Sequence, residues 1–353
     1  MMQRLLILIT SLFISFGVFS IFGQSIETFN AHIRTFISQG QFTKFKFSPE
    51  GIPSQVNARI GEYTSPFYVV HFGLMYSETC KQEALENRFH WAEDTTAKYW
   101  PGAPDEISQE RFRNSLEWLL KAVTYDEKGN AHFIYDFSWP YKGYPGGSLA
   151  PGWWSGLTDG YAIVLLLRGY DCFEDEQYLT LADELYNSVL TPVEMGGSLI
   201  FWEGQPWIEE SVAPSAPLTA LSRVLNGMAY AYFGVKSYEE FINQASMSSD
   251  LFASMTAHIG IYDLGYWSYY DAIGSRANIK YHAVNWSLIT DPRLAGVASE
   301  QAMRSWGIGK MFPFIYLFQG PPSYALLHAW LTVFVFLIFC YLSIQKLTSL
   351  LLK

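Results

Sequence analysis

Cysteine is scarce: Cys80, Cys172 and Cys340 are the only three in 353 residues. That count excludes a disulfide-dense scaffold, and no spacing among the three resembles a zinc site. Charge is thin as well, at 16% of the chain against 50% apolar residues. Disorder is thereby excluded as a class, and a sizeable core is within reach. Basic residues are the scarcer sign. The two ends, 1–23 and 324–353, hold Arg4, Lys346 and Lys353 and no acidic residue. The middle therefore carries 20 basic against 33 acidic residues, a net charge of −13. So acidic a body is a poor generic nucleic-acid binder. Also missing are HExxH, GxSxG, a P-loop and a GxGxxG in strand–helix context. Metalloprotease, serine hydrolase, NTPase and nucleotide oxidoreductase readings lose their usual support.

Apolar runs mark both ends. Leu5–Phe22 follows a single Arg4 and reads as a signal peptide or an uncleaved N-terminal anchor over 1–23. Tyr324–Ile344 spans about 31 Å as a helix, the thickness of a bilayer core. The expectation is a transmembrane helix over 324–345, a linker over 320–323 marked by Gly320-Pro321-Pro322, and a cytoplasmic tail over 346–353. A buried core helix is the alternative. On the first reading residues 24–319 form an exported body tethered to the membrane. There Cys80 and Cys172 could pair; two buried thiols is the other outcome.

The body reads as mainly helical. Phe112, Leu116, Leu119 and Leu120 fall on one helical face; so do Leu157, Tyr161, Val164, Leu165 and Arg168, and Leu181, Leu185 and Val189. Leu218, Leu221, Leu225, Met228 and Tyr232 form a further stripe. Between these lie aromatic runs opened by Gly129, Gly197 and Gly265, spaced equally at 68 residues. A fixed period argues for a repeated unit of helix, glycine-turned hairpin and returning helix. The expected fold is an incomplete (α/α) toroid with short β-hairpins at one rim. Residues 24–62 read as a lead-in strand or arm.

Aromatic residues make up 17% of the chain. Their faces can stack on sugar rings, although most must simply fill the core. Glu209-Glu210 follow Trp207-Ile208. Such a pair can include one carboxyl with a raised pKa, fit for acid–base work, though a solvated loop pair is the commoner outcome. Tyr281-His282 by itself is a polar step in a helix.

Several stretches together resemble the glucuronyl C5-epimerases. They are Glu50-Gly51-Ile52-Pro53, Pro66 to Ser77, Trp139-Pro140, Leu149 to Gly160 and Trp207-Ile208-Glu209-Glu210. Val224 to Gly227, Ile261-Tyr262-Asp263, Tyr270-Asp271 and Tyr281-His282 continue the order. The pattern departs at Ser211-Val212 and at Ile273. The resemblance implies an (α/α) toroid and inversion at C5 of uronate residues in a polysaccharide, with no metal or cofactor. It implies Tyr270, Tyr281 and Glu210 as catalytic residues, the two phenols facing each other across one cleft. Asn226, His282, Arg276, Glu209 and Trp154 are the residues expected at the substrate. A uronate lyase or hydrolase, or a non-catalytic glycan-binding relative, would share much of this pattern.

Overall fold

A computed structural model describes residues 9–15, 45–57, 60–77, 80, 109–141, 144–213, 221–244, 246–311, 331, 333–343 and 346. The chain is mainly helical. Its helices are α1 (Pro66–Tyr76), α2 (Gln109–Ala122), α3 (Gly156–Phe173), α4 (Glu176–Leu190), α5 (Leu225–Phe241), α6 (Met247–His258), α7 (Ile279–Ile289) and α8 (Glu300–Met311). Local chemistry sets their ends. The Ser155 hydroxyl caps Thr158 N–H of α3 at 3.3 Å, and the Asp175 carboxylate caps Gln177 N–H of α4 at 3.0 Å. Glu174, in the left-handed region, turns the chain between these two helices.

The stripes read from sequence become core faces. Phe112, Leu116 and Leu119 of α2 are fully buried, as are Leu185 and Val189 of α4. Helix α3 goes further: Ala162, Ile163, Leu165 and Leu166 are all inaccessible, so it is enclosed on most of its circumference. It packs against α1, α4 and, most extensively, α5. A Cβ on Gly234 of α5 would fall on the carbonyl of Gly160 in α3, so this crossing requires glycine. Of the stripe from Leu218 to Tyr232, Leu218 lies outside the described residues and Leu221 precedes the helix. Helix α5 begins only at Leu225, because Arg223 is left-handed (φ 54°) and Val224 bridges to Asp271.

The strands are short and antiparallel. β1 (Phe45–Phe47), β2 (Pro53–Asn57) and β3 (Gly61–Tyr63) form one sheet in chain order, with Phe45 opposite Gln55 and Gln55 opposite Tyr63. β4 (Thr124–Tyr125) pairs with β5 (Ala131–His132), β6 (Ile134–Tyr135) with β9 (Trp153–Trp154), and β7 (Trp139–Pro140) with β8 (Ser148–Leu149). β10 (Leu199–Trp202) pairs with β11 (Gln205–Ile208). Gly129 and Gly265 lie in tight turns, as the period predicts. Gly197 does not. The β10–β11 turn is made by Glu203-Gly204, both at positive φ, the two-residue geometry that suits strand twist.

Cys80 and Cys172 are joined in a disulfide, their Cα atoms 5.7 Å apart. The linker over 320–323 lies outside the described residues, as do most of 1–23 and of the tail. Segments 9–15 and 333–343 are helical. Among the described residues no helix is long and apolar enough to cross a membrane, so the expected spanning helix over 324–345 gains no support.

Candidate active site

The N-terminal turns of α1, α3, α5 and α7 converge on one cleft of about 330 Å³. Phe67 and Tyr68 enter from α1, Leu157 and Thr158 from α3, Asn226 and Tyr230 from α5, Tyr281 and Val284 from α7. The strands and loops close the sides with Gln55, Tyr63, Tyr135, Phe137, Trp139, Tyr141 and Trp153. Glu210 and Tyr270 lie in the lining as well, with Ser65, Ser155 and Ser211. Among the described lining residues there is no Lys, Arg or His, and Glu210 is the one carboxyl. Positive potential there comes instead from the converging helix N-termini.

Glu210 is carried into the cleft by the chain leaving β11. Successive residues of an extended chain point to opposite sides, so Glu209 and Glu210 diverge. The Tyr270 hydroxyl donates to Glu210 Oε1 at 3.0 Å, while Oε2 is buried with no hydrogen-bond partner. Burial, chiefly, pushes the Glu210 carboxyl up to about 8, with Glu209 and Asp271 adding to the rise against the Tyr270 hydrogen bond. Gly227, in the first turn of α5, makes the space. A Cβ there would lie 2.5 Å from the Glu210 Cβ and 2.7 Å from its Oε2. Asn226, next to it, is 4% exposed and leaves its Oδ1 unpartnered. Two orphaned acceptors at one cleft mark a place where a ligand would supply donors.

Tyr270 sits in the loop before α7, with its N–H donated to the Ser275 carbonyl at 2.6 Å and its carbonyl accepting from Leu225 N–H at 3.3 Å. Tyr281 is placed by the cap of α7, where Asn278 Oδ1 accepts its N–H at 2.9 Å. The Tyr270 and Tyr281 ring centroids are 4.7 Å apart at 58°. The rings touch, which leaves no room for a sugar between them. They form one wall rather than two opposed ones, a correction to the expected arrangement. Burial, first of all, raises both phenols well above their ordinary pKa, and Glu210 adds to it. Neither ionises readily, so each serves as an O–H donor.

Residues 128–303 match the family described as the D-glucuronyl C5-epimerase C-terminus. The match supports an isomerase-type enzyme. Its segment contains Tyr141, Glu210, Asn226, Tyr270 and Tyr281, whereas the wall from β2, β3 and α1 lies outside it. An uncharacterised protein of Methanocaldococcus jannaschii is 28% identical over 163 residues, covering 44% of this chain and 50% of that protein. A D-glucuronyl C5-epimerase of Caenorhabditis elegans is 28% identical over 177 residues, covering 44% of this chain and 28% of the enzyme. The chain thus spans half or less of the curated relatives it matches. An endoglucanase of Klebsiella pneumoniae, a family 8 glycosyl hydrolase, superposes with a TM-score of 0.37 at 10% identity, covering 82% of this chain and all of that one. That score is too low for a shared fold to be read from it.

Four residues expected at the substrate are absent from the cleft lining. His282 is fully buried, stacked on Trp267 at 3.8 Å between centroids. Its Nε2 faces the Trp306 carbonyl at 3.0 Å and must carry the proton; its Nδ1 accepts from Ser268 Oγ at 3.0 Å. Burial holds its pKa down to about 3, so it is a neutral core residue. Trp154 is buried on His132 and donates its Nε1–H to Ser198 Oγ at 3.2 Å; the neighbouring Trp153 takes the cleft position. Arg276 pairs through its backbone with Tyr269, away from the lining. Glu209 is inaccessible and accepts from the Arg223 N–H at 3.0 Å and the Ser222 N–H at 3.3 Å, fixing the loop before α5.

Tyr141, which the sequence reading passed over, lines the cleft. Its hydroxyl is hydrogen-bonded to Ser222 Oγ. Trp139-Pro140 marks its position, but nothing in that dipeptide announces which way the next side chain turns.

Proposed function

We propose that the cleft removes the C5 proton of a uronate residue in a polysaccharide and returns a proton on the opposite face. Glu210 carries the reading. A general base works best when its pKa lies near the operating pH, and a carboxyl held near 8 by burial meets that condition. Tyr270 orients it through Oε1, leaving the unpartnered Oε2 to take the proton. As the C5–H bond breaks, charge moves onto the substrate carboxylate. Asn226, the Tyr281 hydroxyl and the helix N-termini are the preorganised donors for that enolate-like oxygen. Aromatic rings at the side, Tyr63, Phe137 and Trp139 among them, suit the apolar faces of a glycan. Helix pairs whose inner members all start at this cleft also favour an (α/α) toroid, with the site at its open rim. The disulfide favours an oxidising compartment, hence an exported body.

A glycoside hydrolase needs two carboxyl groups flanking the scissile bond, about 5–9.5 Å apart. Glu210 stands alone among the described lining residues, which disfavours that alternative. A lyase shares the first step and is separated by experiment. The protein incubated in D2O with a glucuronan and with a glucuronate–hexosamine copolymer is expected to place deuterium at C5 of an intact chain. Unsaturated chain ends would make it a lyase. No change in either polymer would overturn this reading for both substrates. Glu210→Gln should abolish exchange by on the order of a hundredfold or more.

A further inference from the structure

We propose that Glu209 is a positioning residue of the cleft: its buried carboxylate clamps the N–H groups of Ser222 and Arg223, and through them sets Tyr270 and Asn226 against Glu210. The inference rests on the reading of Glu210 as the base of C5 proton transfer, and it names what holds that base and its partners in register.

Glu209 is pinned by its own backbone. Its N–H donates to the Ser198 carbonyl at 2.8 Å, and a Cβ on Gly156, the first residue of α3, would lie 2.4 Å from its carbonyl oxygen. From that fixed point the side chain, wholly buried, reaches the loop before α5. Its Oε1 accepts from the Ser222 N–H and the Ser222 hydroxyl, both at 3.3 Å, and from the Arg223 N–H at 3.2 Å. Its Oε2 accepts from the Arg223 N–H at 3.0 Å. Arg223 sits in the left-handed region at φ 54°, a conformation that a residue with a long side chain keeps only under restraint. The carboxylate supplies that restraint, together with the Tyr262 hydroxyl, which donates to the Arg223 carbonyl at 2.6 Å.

The clamped loop carries the rest of the wall. Residues 222–225 run antiparallel to 270–272. Ala272 N–H donates to the Ser222 carbonyl at 2.9 Å, Val224 bridges to Asp271, and Leu225 N–H donates to the Tyr270 carbonyl at 3.3 Å. Asn226 and Gly227 follow at once in the first turn of α5, and the Ser222 hydroxyl meets that of Tyr141. Glu210 is thus fixed to one end of the clamp, and Tyr270 and Asn226 to the other.

The anion is the form that clamps. It accepts every one of these donors, whereas the neutral acid must place an O–H among them. Burial pushes the Glu209 carboxyl up to about 7, against those hydrogen bonds and the Arg223 charge. Around it stand Arg223, Glu210 and the phenols of Tyr141, Tyr144 and Tyr262. Around Glu210 stand Glu209, Asp271 and the phenols of Tyr141, Tyr270 and Tyr281. Burial raises all these phenols, so they stay neutral. Glu210 rises further, to about 8, so the clamp is charged before the base is. Ionising a carboxyl whose folded pKa is raised costs the fold stability. The charged clamp therefore serves the site rather than the stability of the fold.

The full chain, assayed in D2O on the same two polymers, tests this through the pH dependence of C5 exchange. Below about pH 7 both carboxyls of the wild type take up protons, and the rate should fall with the square of the proton activity. In Glu209→Gln it should fall with the first power. The acid limb should also move to lower pH, because a charge that raises Glu210 is gone. The plateau rate should drop about tenfold to a hundredfold with KM little changed, since the partners of Glu210 lose their register. At pH 8 this variant should melt no lower than the wild type, because a buried charge is removed. The Arg223 amide proton, followed by NMR in the wild type without substrate, should move downfield as Glu209 ionises.

A wild-type acid limb of first power throughout overturns the inference. So does a Glu209→Gln variant that melts well below the wild type at pH 8, which would make Glu209 a support of the fold alone. A wild type that exchanges nothing on either polymer overturns the reading of Glu210 as the base. The Arg223 amide then decides the clamp by itself, and a flat titration overturns it. An active wild type with an unaffected Glu209→Gln plateau overturns the inference alone.

Discussion

At the scale of single residues, the Tyr270–Glu210 hydrogen bond sets when the site can work. Ionised Glu210 is the form that accepts a proton. The Tyr270 hydroxyl stabilises that form, against the larger opposing effect of burial. Removing the hydroxyl in Tyr270→Phe raises the Glu210 pKa further and lowers its ionised fraction at neutral pH. The acid limb of the pH–rate profile for C5 exchange should then move to higher pH, with the rate at pH 7 down by roughly tenfold to a hundredfold. A limb that stays put, or shifts toward acid, would separate Tyr270 from the base. Binding of the polymer should change little, because the aromatic ring remains.

At the scale of elements, the cleft depends on how closely α3 and α5 approach. Their crossing is built on Gly160, Ala231 and Gly234, and the Gly234 Cα faces the Gly160 carbonyl with no space for a methyl group. Gly234→Ala must push the helices apart or bend one of them, at a cost of about 1–3 kcal/mol. Urea denaturation should show a lowered midpoint with an unchanged slope. The N-termini of α3 and α5 would shift with it, carrying Thr158 and Asn226 away from Glu210. Loss of activity should therefore exceed what the loss of folded protein explains.

At the scale of the molecule, two features govern stability. The Cys80–Cys172 bridge closes a stretch with a sequence separation of 92. Loop-closure entropy sets an upper figure of about 4–5 kcal/mol for its contribution, so reduction should lower the melting temperature clearly. A melting curve unchanged by reductant would show that α1, α2 and α3 hold that loop unaided. The second feature is pH. Glu209 and Glu210 have folded pKa values raised to about 7 and about 8 from 4.5, so the folded state binds protons more tightly. Their contribution is complete below about pH 4.5 and is lost as pH rises toward 8. His282 has the opposite sign. Its folded pKa is lowered to about 3 from 6.5, so its contribution is present above 6.5 and lost as pH falls toward 3. Stability should decline on both sides of mildly acidic pH, and Glu210→Gln should flatten the alkaline decline alone. Melting temperatures across pH 4 to 9 check both arms.

The sequence by itself determined the helical class, the faces of α2, α3 and α4, and the motif positions that supply Glu210, Asn226, Tyr270 and Tyr281. Helical periodicity and the order of short motifs are local properties, and they survive reading in one dimension. It left the pairing of Cys80 with Cys172 open, because nothing along the chain gives the distance between them. Only the tertiary structure decided which side of an extended chain faces the cleft. That choice separates Glu210 from Glu209, and Trp153 from Trp154, each pair being neighbours of similar chemistry. His282 looked like a ligand residue beside Tyr281. Its place on α7 turns it instead against Trp267 and the Trp306 carbonyl, where a charged imidazole could not be solvated. Tyr141 lies 69 residues before Glu210 in the chain. Its link to the Glu209 carboxyl runs through Ser222, beyond Glu210 in turn, and such a path exists only after the loops have packed together.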